Sequence, residues 1–209
     1  MTRRAEPSRR QLMTAAIDCF ARHGYQGTSI DRIARDAGVT KGAIYCHFRD
    51  KEDLLFEAVK DRVSGFEHKV LETVTGGGPV ATLRGAVEAC FFFATVSNHR
   101  RFIITLMVEA LDTNPRLSLE FQNMLRRMRG FLAAAVRAGQ ADGSFRRDID
   151  PDLAAAVFAG GIMGAEIEHY QDPEQADLRR MLDVHVEQTL TWLRAPSEAA
   201  IRAGGMETW

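Results

Sequence analysis

The chain has 209 residues, 45% of them hydrophobic and 26% charged, with a formal net charge of -1, enough apolar material for a sizeable core in one large or two small domains of a soluble globular protein. Its three cysteines, Cys19, Cys46 and Cys90, stand far apart with no C-x-x-C pair, which argues against a disulfide framework and a zinc site and for reduced thiols. The near-neutral total hides an uneven distribution: residues 1–49 hold nine Lys/Arg against four Asp/Glu, about +5, and leave about -6 for the rest, so only the N-terminal part is suited to a polyanion.

The start, MTRRAEPSRRQ, is basic and runs into an amphipathic pattern with no apolar h-region, so a cytoplasmic location is expected and a secretory signal is not. Ser8 can cap a first helix carrying Leu12, Ala16, Cys19, Phe20 and His23 at spacings of three and four, ended by Gly24. Thr28, with Asp31 as an approximate capping box, predicts a second helix burying Ile30, Ile33, Ala34 and Ala37, stopped by Gly38. Thr40 caps a very short third helix whose Ile44 and Phe48 point inward, leaving Lys41, Gly42, Ala43, Tyr45 and His47 to the other side. Asp50 caps a fourth, with Asp53 at its third position and Leu55, Val59, Val63, Phe66 and Val70 as its stripe.

Three glycines and a proline at residues 75–79 form the clearest break. Beyond it helices are expected over residues 80–97 and 101–111, then from Pro115 on a long one with Phe121, Met124, Leu125, Met128, Leu132 and Val136. The turn at residues 141–144 follows, then a helix opened by Asp150-Pro151, and a last one carrying Leu178, Leu182, Val186, Leu190 and Leu193. The longest charge-free apolar run, residues 153–165, has 13 residues and is too short to span a bilayer, so no membrane span is expected. With neither β-alternation nor internal repeats, the fold class is all-α: a helix-turn-helix head at 1–50, a helical body at 51–195 including a connecting helix at 51–75, and a tail at 196–209.

A helix, a tight turn and a second helix are the geometry that enters a DNA major groove. Thr28 and Ser29 at one helix start, and Thr40 with Lys41 at the next, put hydroxyls and a charge beside free amides where a phosphate can be held. Tyr45 and His47 add donors, Gly42 permits close backbone approach, Ala43 offers a methyl to thymine, and Lys41 can reach guanine O6/N7. Arg3, Arg4, Arg9 and Arg10 form a basic arm.

Residues 8–60, with AAIDCFARHGYQGTSIDRIARDAGVTKGAIYCHFRDKEDLL, closely resemble the N-terminal domain of the TetR family of bacterial transcription regulators. The resemblance implies backbone contacts by Thr28, Thr40, Lys41, Tyr45, His47 and Lys51, and places Lys41, Gly42 and Ala43 near bases. Cys46 departs from the aromatic often found there and reads as a small filler, with redox sensing as the alternative.

One head reads little sequence, so two on a two-fold axis are expected. The small-residue face of the helix over 151–169 suits close packing, and Ala156, Ala159, Gly160, Gly164, Met181, His185 and Thr189 are the candidate dimer contacts, an arrangement the resemblance also implies. It further implies an effector pocket in the body for a hydrophobic or amphipathic small molecule, with Phe92, Phe102, Met107, Phe121, Met124, Met128, Phe158 and Met163 as candidate lining. Glu166, Glu168 and His169 diverge around their helix and read as a solvated face, not as metal ligands, and His185 reads as a hydrogen-bonded interface histidine. No nucleophile-base arrangement, P-loop or GxGxxG occurs, so neither catalysis nor a cofactor is expected. The expected function is a homodimeric, ligand-released repressor on a palindromic operator in double-stranded DNA; the alternative is a DNA-bound structural or division-type protein using the same head without an inducer.

Overall fold

The computed structural model describes residues 7–74, 77–96 and 98–195, so Arg3, Arg4 and the tail at 196–209 lie outside the described residues. The elements in order are α1 (Arg9–His23), α2 (Ile30–Asp36), α3 (Lys41–Tyr45), α4 (Lys51–Val74), α5 (Gly78–Val96), α6 (His99–Thr113), α7 (Pro115–Asp142), α8 (Pro151–Gln171) and α9 (Leu178–Leu193), with no strand among the described residues.

Local capping chemistry sets the starts of most of these helices. Ser8 Oγ accepts from the Gln11 amide at 3.2 Å while Gln11 Oε1 accepts from the Ser8 amide at 2.8 Å, a reciprocal capping box that opens α1. Leu12, Ala16, Cys19 and Phe20 are buried along it, whereas His23, expected on the same stripe, is exposed at the helix end. The second helix begins one residue later than the sequence suggests. Thr28 is buried and its hydroxyl donates to Gly24 O at 2.7 Å, closing the turn after α1, so Ser29 takes the cap and accepts from the Arg32 amide at 3.2 Å. Asp31, expected as capping-box partner, binds Lys41 instead.

Gly38, at φ 65°, makes the left-handed turn between α2 and α3 that a side-chain-bearing residue adopts only with strain. Thr40 Oγ1 then accepts from the Ala43 amide at 3.2 Å, and Ile44 and Phe48 are buried as their spacing requires. At α4, Asp50 Oδ1 accepts from the Asp53 amide at 2.8 Å and Asp53 Oδ2 from the Arg49 amide at 3.2 Å. The glycine run ends sooner than expected: α5 already starts at Gly78, with Pro79 in its first turn where no amide is missed.

The described chain divides into two compact units that interleave along the sequence. One takes the residues up to Lys69 together with Phe92–Met124; the other takes Val70–Phe91 and everything from Leu125 on. In the first, α1 packs on α2 and α6, α2 packs on α3, and Phe102 stacks on Phe20 with ring centroids 6.3 Å apart. In the second, α8 packs on α9. Phe158 stacks on His185 at 5.2 Å, and the His185 Nε2 is 2.9 Å from Phe158 O. A Cβ added at Gly161 would strike that imidazole, which makes glycine the condition of the close approach.

Two expectations about the second unit are corrected. Glu166 is fully buried, not on a solvated face, and His169 is half-buried with Nδ1 2.8 Å from Ala176 O, fastening the turn that follows α8. Among the described residues, α5 is the helix long and apolar enough by length and composition to cross a membrane, 19 residues at a mean hydropathy of 1.3; the run at 153–165 is too short for that. Its Arg84 pairs with Glu187 and its Glu88 with Arg179, both on α9, so its polar face is committed to a protein neighbour.

Candidate functional site

The head presents one exposed polar surface. Lys41, Gly42, Tyr45 and His47 are exposed and Ala43 half-exposed on the side of α3 opposite Ile44, with Tyr45 48% exposed despite its size. A Cβ on Gly42 would meet nothing nearer than Thr40 Oγ1 at 3.8 Å, so the chain itself does not demand glycine there; the room lies outside it. Ser29 and Thr40 each spend an oxygen lone pair on a cap and keep the hydroxyl proton for an external acceptor.

Three of the expected contact residues are already engaged. Lys41 Nζ is 3.0 Å from Asp31 Oδ2, and that hydrogen bond holds the ammonium pKa above its ordinary value. Thr28 has its hydroxyl turned inward. Lys51 donates to Tyr25 O and Thr28 O, both at 3.0 Å, and lies 4.0 Å from the Tyr25 ring centroid, so it staples the start of α4 to the turn after α1. Arg9 is no loose arm either: it pairs with Glu57 at 2.5 Å and covers the Phe48 ring at 5.1 Å. Cys46 is exposed and ends α3, beside the contact surface.

The first unit also encloses a cavity of about 320 Å³ among α1, α4, α5, α6 and α7. Of the expected lining residues Phe92 and Met124 reach it. Phe121 and Phe158 are core, Phe102 is stacked under the head, Met107 is half-buried on α6, and Met128 and Met163 belong to the other unit. The apolar wall is Val63, Phe66, Phe93, Val96 and Ile103, and the polar groups, unforeseen from the sequence, are Thr14, Arg62, His99 and Arg100. A polar residue on an apolar stripe is the signal that would have found them.

Of the candidate dimer contacts, Gly160 and Gly164 are exposed, Ala156, Met181 and His185 are intermediate, and Ala159 and Thr189 are buried within the chain. The outer face of α8 is instead carried by Leu153 (59% exposed), Val157 (55%) and Ile167 (42%), joined on α9 by Val184 and Trp192. For metal, Cys19 Sγ, a ring nitrogen of His23 and a carboxylate oxygen of Asp36 lie within 4.8 Å of one another. Burial, however, pushes the Cys19 thiol up, away from the thiolate a metal prefers.

An all-α chain with a capped helix-turn-helix, an exposed recognition surface and a helical body is a DNA-binding transcription regulator by architecture. Residues 12–58 match the model of the bacterial regulatory proteins of the tetR family, and residues 80–182 match a tetracyclin repressor-like C-terminal domain. The chain is 31% identical over 147 residues to the transcriptional repressor KstR2 of Rhodococcus jostii, covering 70% of this chain and 72% of that protein. It is 26% identical over 156 residues to the fatty acid metabolism regulator protein of Bacillus subtilis, covering 75% and 80%. Among solved structures, SmeT, the repressor of the Stenotrophomonas maltophilia efflux pump SmeDEF, superposes with a TM-score of 0.76 at 25% identity over 92% of this chain and 93% of that one; SmeT has also been solved as a triclosan complex. The chain belongs to the TetR family of transcription regulators, whose members here are named as regulators and repressors, not enzymes.

Proposed function

We propose that the protein is a cytoplasmic homodimeric repressor that holds a palindromic operator through residues 1–50 and leaves it when a hydrophobic or amphipathic small molecule enters the body at 51–195. The observation that carries the DNA half is the exposed face of α3, where Tyr45 and His47 stand outward beside Lys41 and a glycine that nothing inside the chain requires. Supporting the dimer is α8, which is apolar on its inner face through Ala155, Phe158 and Ile162 and also on its outer face through Leu153, Val157 and Ile167. A helix apolar all round is buried all round, so a second copy is the natural cover. The cavity beside α4, with SmeT as a family member that takes triclosan, supports the effector.

Effector binding would then favour a dimer geometry in which the two recognition helices no longer match successive major grooves, about 34 Å apart. A gel shift on the DNA upstream of the protein's own coding sequence tests the assignment. Lys41→Ala and Tyr45→Ala should each weaken the complex by about tenfold or more, the loss of one or two charge-assisted or base-edge contacts. Undiminished binding by both variants rejects α3 as the reading helix.

A further inference from the structure

The cavity of the first unit has a charge character that its apolar wall conceals. Its ionisable lining groups are Arg62, His99 and Arg100, and no carboxylate is among its described lining residues. Arg100 is only 9% exposed, with its guanidinium 4.8 Å from the Phe66 ring centroid, held against the apolar wall. Arg62 Nη2 donates to Thr14 Oγ1 at a long 3.4 Å, and His99 is paired with the Asp18 carboxylate. Thr14 and Asp18 are one turn apart on α1, so Arg62 and His99, two of the polar cavity groups, also fasten α4 and α6 to the scaffold helix of the head.

We propose that the effector is an amphipathic anion, an apolar body with a carboxylate-type head, and that Arg62 and His99 receive the head while Val63, Phe66, Phe93 and Ile103 enclose the body. This rests on the effector reading above and names the ligand class it left open. A guanidinium is the group best shaped for a carboxylate, and a neutral hydroxyl at 3.4 Å is a weak partner for it to exchange. An ammonium ligand would instead be desolvated against Arg62, a like-charge contact in a low-dielectric site. The volume, about 320 Å³, lies at the small end of ligand sites, which suits a compact acid over a large polycyclic one. A head bound there competes with Thr14 and Asp18, so occupancy is felt at α1.

Calorimetric titration of the full-length protein with decanoate, decanol and decylamine separates the possibilities. Decanoate should bind at least tenfold more tightly than decanol, with decylamine weakest. Arg62→Met should lower decanoate affinity by about tenfold or more, the worth of one charge-assisted hydrogen bond, and leave decanol unchanged, which also reports that the cavity is intact. Ile103→Trp, which fills the cavity, should abolish binding of both. Equal or better binding of decanol or decylamine, decanoate binding that survives both substitutions, or no binding by any probe overturns the ligand class and leaves the effector reading standing. Decanoate that binds as expected but leaves the DNA complex intact supports the ligand class and rejects the effector reading.

Discussion

Thr28 and Ser29 show how two neighbouring hydroxyls of nearly equal chemistry take opposite roles. Both suit a helix start, but Thr28 is 2% exposed and its hydroxyl donates to Gly24 O, which leaves the capping to Ser29. Replacing Thr28 by valine keeps shape and removes the donor from the Gly24 carbonyl in a part-buried hydrogen bond. Thermal unfolding should register a loss of about 1 kcal/mol, with operator affinity within about threefold of wild type. A large loss of DNA binding with unchanged stability would return Thr28 to the contact surface. Lys51 is similar in kind: a cation at a helix start reads as a phosphate contact, and its donation to two carbonyls becomes visible only once the turn after α1 is folded back on α4.

Among the elements, most capped starts and most buried stripes were legible, and the face of α8 was not. Ser8, Thr40 and Asp50 cap the helices the sequence assigns them because capping is settled within four residues. The face of α8 was not readable, since a helix apolar all round gives the pattern no direction; Ala159 was expected outside and is inside, while Leu153 and Val157 are outside. Lining residues were hard for another reason: size and apolarity do not separate a cavity wall such as Phe66 from core such as Phe121. The glycines of α8 test the assigned phase. Gly161→Ala pushes a methyl into an imidazole held by stacking and a hydrogen bond, and should cost about 1–3 kcal/mol of folding stability. Gly160→Ala meets nothing within the chain and should leave thermal stability equal or up to about 1 kcal/mol higher, any loss appearing only in dimer dissociation.

For the whole molecule, affinity and assembly are expected to be one property. A protomer neutralising a few phosphates binds weakly and without sequence preference, whereas two coupled heads double the contacts and fix their spacing. The double variant Val157→Arg with Trp192→Glu puts charges on the outer face of α8 and α9, where both side chains are exposed in the protomer. Analytical ultracentrifugation should then give a folded monomer, and operator affinity should fall by about a hundredfold or more. A variant that remains dimeric would place the two-fold axis on another surface.

The Lys51 staple has a mechanical meaning. With its ammonium tied to Tyr25 O and Thr28 O, the first turn of α4 and the turn before α2 are one block, so a tilt of α4 carries the reading surface round without reshaping it. On the proposed function, induction would be a change of aim, not of grip. The induced form would keep its hold on arbitrary DNA, weak and quenched by salt, and lose only the ability to address two half-sites at once.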